Sequence, residues 1–145
     1  MKLLIAIDLS DATEIILDKI KEFSKKITPK IWLVHVVPPD PDFVGYEVGP
    51  KTERDFIAKK FHEKHAKLQS IAKQMQENGL ETIPLLLQGA TVETILEEAD
   101  DIDADMIITG SHGHGMMYNI FIGSVSKELL KHSKRPVLII PTRGE

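Results

Sequence analysis

MIITGSHGHGMMYNIFIGSVS, residues 106–126, is the stretch from which the fold class can be read. Met106 to Thr109 is a short apolar run suited to a buried strand. Gly110-Ser111-His112-Gly113-His114-Gly115 follows as a glycine-rich loop. A helix is expected from about Ser124 to Ser133. Strand, glycine loop and helix in that order make one unit of an alternating α/β chain.

The same alternation continues on both sides. Downstream, Val137 to Ile140 is the last strand, flanked by Pro136 and Pro141. Upstream, Thr91 is placed to cap a short helix carrying Val92, Ile95, Leu96 and Ala99. Ile83 to Gln88 is a strand with Pro84 inside it. Proline cannot donate to a ladder, so this strand is expected at a sheet edge. A long helix runs from about Thr52 to Asn78, with Ile57, Phe61, Leu68, Ile71 and Met75 as its apolar stripe and Gly79 as its stop. Residues 38–50, with four prolines and two glycines, form a loop. Before it, Ile31 to Val37 is a strand. Ala12, Ile15, Ile16, Ile20, Phe23 and Ile27 lie on one face of the first helix, which Thr28-Pro29 ends. Asp11 and Glu14 have the spacing of a capping box at its start. Leu3 to Ile7 is the first strand, and Asp8 closes it. The order is βαβαβαβαβ. Nearly continuous apolar strands predict a parallel sheet covered by helices on both faces. One domain over residues 1–145 is expected, with right-handed crossovers.

Composition narrows the function classes. A net charge of −4 gives a nucleic-acid partner no global support. The absence of cysteine excludes disulfides, thiolate catalysis and zinc–cysteine sites, and fits a reducing, cytoplasmic setting. No apolar run approaches the roughly 18 residues of a membrane span, so no membrane partner is expected. The start is read as the first strand, not a signal peptide. Lys59, Lys60, Lys64, Lys67 and Lys73 are read as a solvated basic face, and the acids from Glu93 to Asp105 as another.

In such a sheet, ligands bind beyond the carboxyl ends of the strands, where strand order reverses. The glycine-rich loop and the start of the following helix then read as a phosphate cradle. Glycines let backbone amides approach an anion, and the helix start presents free N–H groups and a positive dipole end. Ser124 and Ser126 add hydroxyls there. The bland alternative is a plain turn before a serine-capped helix. The P-loop pattern is missing, and Tyr118 stands where a dinucleotide fingerprint needs its third glycine. His35, inside a strand, reads as a satisfied core histidine. His112 and His114 lack an evident third partner for a metal. The apolar run from Met116 to Ile122 reads as core, with a lid or partner patch as the alternative.

Gly110-x2-Gly113-x9-Gly123-Ser124 resembles the signature of the ATP-binding branch of the universal stress proteins. Ile5-Ala6-Ile7-Asp8, Leu33-Val34-His35-Val36-Val37 and Arg135-Pro136-Val137-Leu138-Ile139-Ile140-Pro141 are similar to that family's first, second and last strands. The resemblance implies a Rossmann-like sheet of order 3-2-1-4-5 and a site for ATP, or AMP or ADP. It implies Asp8 on a ribose hydroxyl, Ala6 and Ile7 along the adenine or ribose, and the backbone of Val36 at the adenine edge. Thr109 belongs to the same site, Gly110 would lie by the ribose, and His112 and Gly113 by the phosphates. Gly123, Ser124, Val125 and Ser126 would hold the phosphates, with Mg2+ or Mn2+ bound mainly by phosphate oxygens. Family members that carry a basic residue after the second glycine differ from this chain, which has His114 and Gly115 there. No catalytic base is marked, so the resemblance implies an ATP-binding regulatory protein of the stress response, and not an efficient enzyme. A slow ATPase or phosphotransferase, and a nucleotide-free interaction module, are the alternatives. Val137 to Ile140, an apolar edge, is expected to pair across a two-fold axis in a homodimer.

Overall fold

The computed structural model describes residues 1–39, 51–112 and 122–142, without the side chains of 51–54. The elements follow in the expected order: β1 Lys2–Ala6, α1 Ala12–Ser24, β2 Lys30–Val37, α2 Lys51–Glu77, β3 Glu81–Gln88, α3 Thr91–Asp101, β4 Met106–Gly110, α4 Ser124–His132 and β5 Val137–Ile140. The five strands form one parallel sheet in the order β3-β2-β1-β4-β5. The order reverses between β1 and β4, so a crevice opens beyond their carboxyl ends.

The period of two along each strand divides the core into two layers. Leu3, Ile5, Ile31, Leu33 and Ile108 pack with Ile16 and Ile20 of α1 and with Leu68, Ala72 and Met75 of α2. Leu4, Ala6, Val34, Val36 and Ile107 point the other way, onto Ile95 and Ala99 of α3 and Leu129 of α4. Ile5, Leu33 and Ile107 are wholly buried. Each such side chain contributes about 1.5–3 kcal/mol of burial free energy.

β3 and β5 are the two edges. Pro84 pairs with Leu33 in register, and Gly89 N–H donates to Val37 O. Odd-numbered residues of both strands therefore bond each other. Pro84, being even, turns its missing N–H outward, where no ladder bond is lost. Gly79, at φ +83, stops α2 as expected: Gly79 N–H donates to Gln76 O and Leu80 N–H to Met75 O.

Three helix-end expectations are corrected. α1 ends at Ser24, before Thr28-Pro29, and Ile27 packs against the core from the following turn. Asp11 is the residue before α1, yet its side chain makes no cap bond. The start is instead tied by Ser10, whose carbonyl accepts Thr13 N–H and whose hydroxyl accepts Ala12 N–H. Thr91 is the first helical residue of α3, and the capping position belongs to Ala90. The lysines of α2 are largely solvated, although Lys67 Nζ donates to Leu9 O at 3.0 Å. The acidic face is not wholly idle: Arg135 reaches Asp100 and Asp103, each at 3.2 Å, and the Ala104 carbonyl. No described helix is long and apolar enough to cross a membrane.

Candidate functional site

At the end of β1 the chain turns sharply. Leu9 adopts φ +61, and Ser10 directs both its N–H and its hydroxyl to Asp8 Oδ1. This short polar turn, typical of Asp followed two residues on by a donor, fixes the carboxylate at the mouth of the crevice. Asp8 therefore closes β1 and helps to start α1 through Ser10.

The end of β4 is laced to the chain that follows β5. Ser111 N–H donates to Ile140 O, and Thr142 N–H donates to Ser111 Oγ. Thr142 Oγ1 accepts His112 N–H and donates to His112 O, each at 3.0 Å. Ser111 Oγ and His112 Nδ1 lie 2.8 Å apart. A Cβ on Gly110 would lie 2.9 Å from Thr142 Cγ2 and 3.0 Å from Ile16 Cδ1. A side chain at 110 would thus force Thr142 or Ile16 to shift.

α4 starts without a side-chain cap at Gly123. Its first intrahelical bond runs from Lys127 N–H to Gly123 O. The N–H groups of Ser124, Val125 and Ser126 therefore have no partner within the helix. Gly123 N–H donates to Ser111 O at 2.7 Å, which pins the helix start beside the glycine loop. Ser126 Oγ donates to Gly110 O at 2.7 Å and is buried. Its one hydroxyl proton is already committed, so Ser126 offers a ligand its backbone N–H and an oxygen lone pair.

These elements surround one cleft of about 290 Å3. Ala6 of β1, Ile7 and Asp8 just after it, and Val36 of β2 line one side; Thr109 and Gly110 of β4, with Ser111 and His112 just after it, line another; Gly123, Ser124, Val125 and Ser126 close it at the start of α4. Eleven of the twelve residues singled out from the sequence thus meet in one place, and Gly113 lies outside the described residues. The run from 114 to 121 and the loop from 40 to 50 also lie outside them. The cleft adds residues the sequence did not point to. Thr91 and Ile95 come from α3 and His35 from β2. Thr91 lies just beyond the carboxyl end of β3, where ligands bind in such a sheet, and only its assignment as a cap hid it. Thr142 carried a signal too, since it follows the last strand at its carboxyl end.

His35 is 8 % exposed, and its Nδ1 lies 2.8 Å from Ile7 O. It is a satisfied core histidine, and also part of the cleft wall. Burial holds its imidazole below the ordinary value of 6.5, assisted by the Lys64 charge and opposed by the Ile7 bond and Asp8. Among the described lining residues none is Lys or Arg. The cleft can therefore hold an anion through backbone N–H groups and hydroxyls, while Asp8 suits a hydroxyl-bearing group.

Residues 1–141 match the universal stress protein family. The chain belongs to that family. Universal stress protein MJ0577 of Methanocaldococcus jannaschii is 28 % identical over 155 residues, covering 99 % of this chain and 96 % of the relative. The solved structure of MJ0577 superposes with a TM-score of 0.85 over 99 % of this universal stress protein and 97 % of that chain. More distant members share the fold. One was solved in complex with cAMP, at 19 % identity and a TM-score of 0.71, covering 99 % of this chain and 98 % of that one. Another, from Archaeoglobus fulgidus, was solved in complex with dAMP, at 24 % identity and a TM-score of 0.65, covering 97 % of each.

Proposed function

We propose that this universal stress protein binds an adenine nucleotide, ATP or else AMP or ADP, in the cleft between β1 and β4, and acts as a nucleotide-dependent regulator in the stress response without efficient turnover. The observation that carries the reading is the convergence of Asp8, Val36, Gly110, His112 and the α4 start on one cleft. Asp8 would accept a ribose hydroxyl, with Thr109 and Gly110 beside the sugar. Ala6, Ile7 and the Val36 backbone would face the base. The N–H groups of Ser124, Val125 and Ser126, together with His112 and Gly113, would hold the phosphates. The cAMP and dAMP bound by family members of the same fold are in keeping with an adenine base at this place.

A divalent ion, Mg2+ or Mn2+, would sit on the phosphates. The described residues contain no cluster of three or more His, Asp or Glu able to hold a metal by themselves. Phosphate oxygens and water would then supply most of its ligands. With no lysine or arginine among the described lining residues, that ion would also neutralise much of the phosphate charge.

Binding without turnover is supported by how the cleft's titratable groups are engaged. Asp8 Oδ1 takes both Ser10 donors, His35 Nδ1 bonds Ile7 O, and His112 Nδ1 contacts Ser111 Oγ. Efficient phosphoryl transfer to water needs a group that positions the nucleophile in line, and these contacts hold the candidates to the scaffold.

We further propose a homodimer formed through the β5 edge, Val137 to Ile140. Ser111 N–H bonds Ile140 O and Ile107 N–H bonds Pro136 O, so even-numbered residues of β5 serve β4. Val137 and Ile139 then present their N–H and C=O groups outward, ready for a second copy.

The test is to denature the purified protein and identify the small molecules released by mass spectrometry. ATP with a divalent ion is the expected result. ADP in its place would argue for turnover, and no nucleotide even after incubation with ATP would overturn the proposal.

A further inference from the structure

The β1–β2 ladder ends in an unusual way. Its last Cα pair is Ala6 with Val34, and Ile7 N–H then donates to Val34 O. In a regular parallel ladder the next rung would run from Val36 N–H to Ile7 O. That rung is not made, and Ile7 falls outside the strand. The His35 imidazole lies on the Ile7 carbonyl, with Nδ1 at 2.8 Å. Even-numbered residues of β2 turn their backbone groups toward β1, so the Val36 N–H is aimed at the point where the two strands part. Val36 is 6 % exposed and lines the cleft there. Among the described residues no backbone group accepts it, and a buried backbone donor without a partner is costly, which makes it a place where a ligand acceptor is expected.

We propose that His35 is a positioning residue for base recognition: its side chain occupies the Ile7 carbonyl, keeps the next β1–β2 rung open, and so leaves the Val36 backbone edge for an acceptor nitrogen of the adenine ring. The inference rests on the nucleotide reading above and deepens it. The Nδ1–H satisfies the carbonyl, so the strands need not close on each other. The Val36 N–H then gains its partner from the ligand. Without a side-chain donor at 35, the carbonyl recaptures the Val36 N–H, the strand ends zip together, and the base end of the cleft narrows.

Two variants separate this role from plain core packing. His35→Leu fills the buried space without a donor. His35→Asn keeps an N–H one bond from Cγ, where Nδ1 stands. Affinity for ATP and for adenosine is measured by titration calorimetry, and the Val36 amide is followed by hydrogen exchange. The wild-type Val36 amide is expected to exchange readily without ligand and to be protected when adenosine binds. His35→Leu is expected to bind both ligands about tenfold more weakly, the cost of one lost backbone hydrogen bond. Its Val36 amide should be protected even without ligand, and its unfolding midpoint should be no lower than wild type. His35→Asn should stay within about twofold of wild type. Unchanged binding by His35→Leu would overturn the proposal. So would equal weakening of both variants with a lowered unfolding midpoint, which would mark His35 as packing alone. A wild-type protein that binds neither ligand would sink the nucleotide reading instead, and exchange at Val36 would still report whether His35 holds the rung open.

Discussion

Gly110 and Ser126 are bound together by one hydrogen bond, and substitutions at the two should fail for different reasons. In Gly110→Ala the new Cβ meets Thr142 Cγ2 at 2.9 Å and Ile16 Cδ1 at 3.0 Å, both in a packed layer. The overpacking should cost about 1–3 kcal/mol of stability, read from urea midpoints. In Ser126→Ala the Gly110 carbonyl loses its buried donor, at a cost of about 1–3 kcal/mol, with no clash to relieve. His35 responds to pH instead. Burial lowers its imidazole below 6.5, so the folded state keeps it neutral. As pH falls, the unfolded chain takes up the proton first. The stability from the neutral histidine is complete above about 6.5 and is lost as pH drops toward the lower folded value. Wild type should therefore lose more stability than His35→Asn between about pH 7 and about pH 5.5; equal losses would assign the pH dependence to other groups. At this scale the sequence was only partly legible. Glycine spacing located Gly110, yet the reason for glycine there, the Thr142 methyl, comes from a residue 32 positions away. Asp11 had the right spacing for a cap, but the turn made by Asp8 and Ser10 reached the helix start first. Nothing local could reveal that His35 bonds Ile7 across two strands.

Among the elements, α4 is the one the proposed binding site depends on most. Its N–H groups at Ser124, Val125 and Ser126 are the proposed phosphate donors. Ser124 is its first residue, where proline is tolerated because that N–H has no helical partner. Gly123 already has the extended geometry that a residue before proline prefers, φ −64 and ψ 158. Ser124→Pro should therefore leave the unfolding midpoint close to wild type while weakening ATP binding about tenfold. Ser124→Ala, which keeps the N–H, should retain more of the affinity and so divides the amide's share from the hydroxyl's. The elements themselves were well marked in the sequence. Apolar runs bounded by Pro, Gly and Asp placed all five strands, and Pro84 anticipated an edge that the β3 register explains. Helix ends were less legible, because Ser, Thr and Asp near a helix start compete for one cap.

For the whole molecule, the order β3-β2-β1-β4-β5 places both the cleft and the free β5 edge. Ile139→Pro removes an outward N–H that no strand of this chain uses. The variant should remain folded, since an edge tolerates proline, but should run as a monomer by light scattering where wild type is expected to run as a dimer. A wild-type monomer at the same concentration would refute the β5 pairing. The strand order itself could be read only through the family resemblance. Periodicity gives a parallel sheet with helices on both faces, and the crossover from β3 to β4 is what separates this order from others with the same elements. The proposed function rests on the cleft at that crossover. Amide chemical-shift mapping during titration with ATP and Mg2+ tests it most directly. The predicted result is a saturable shift at Asp8, Val36, Gly110, His112, Gly123 and Ser124; the absence of any shift, or shifts confined to other surfaces such as α2, would contradict it.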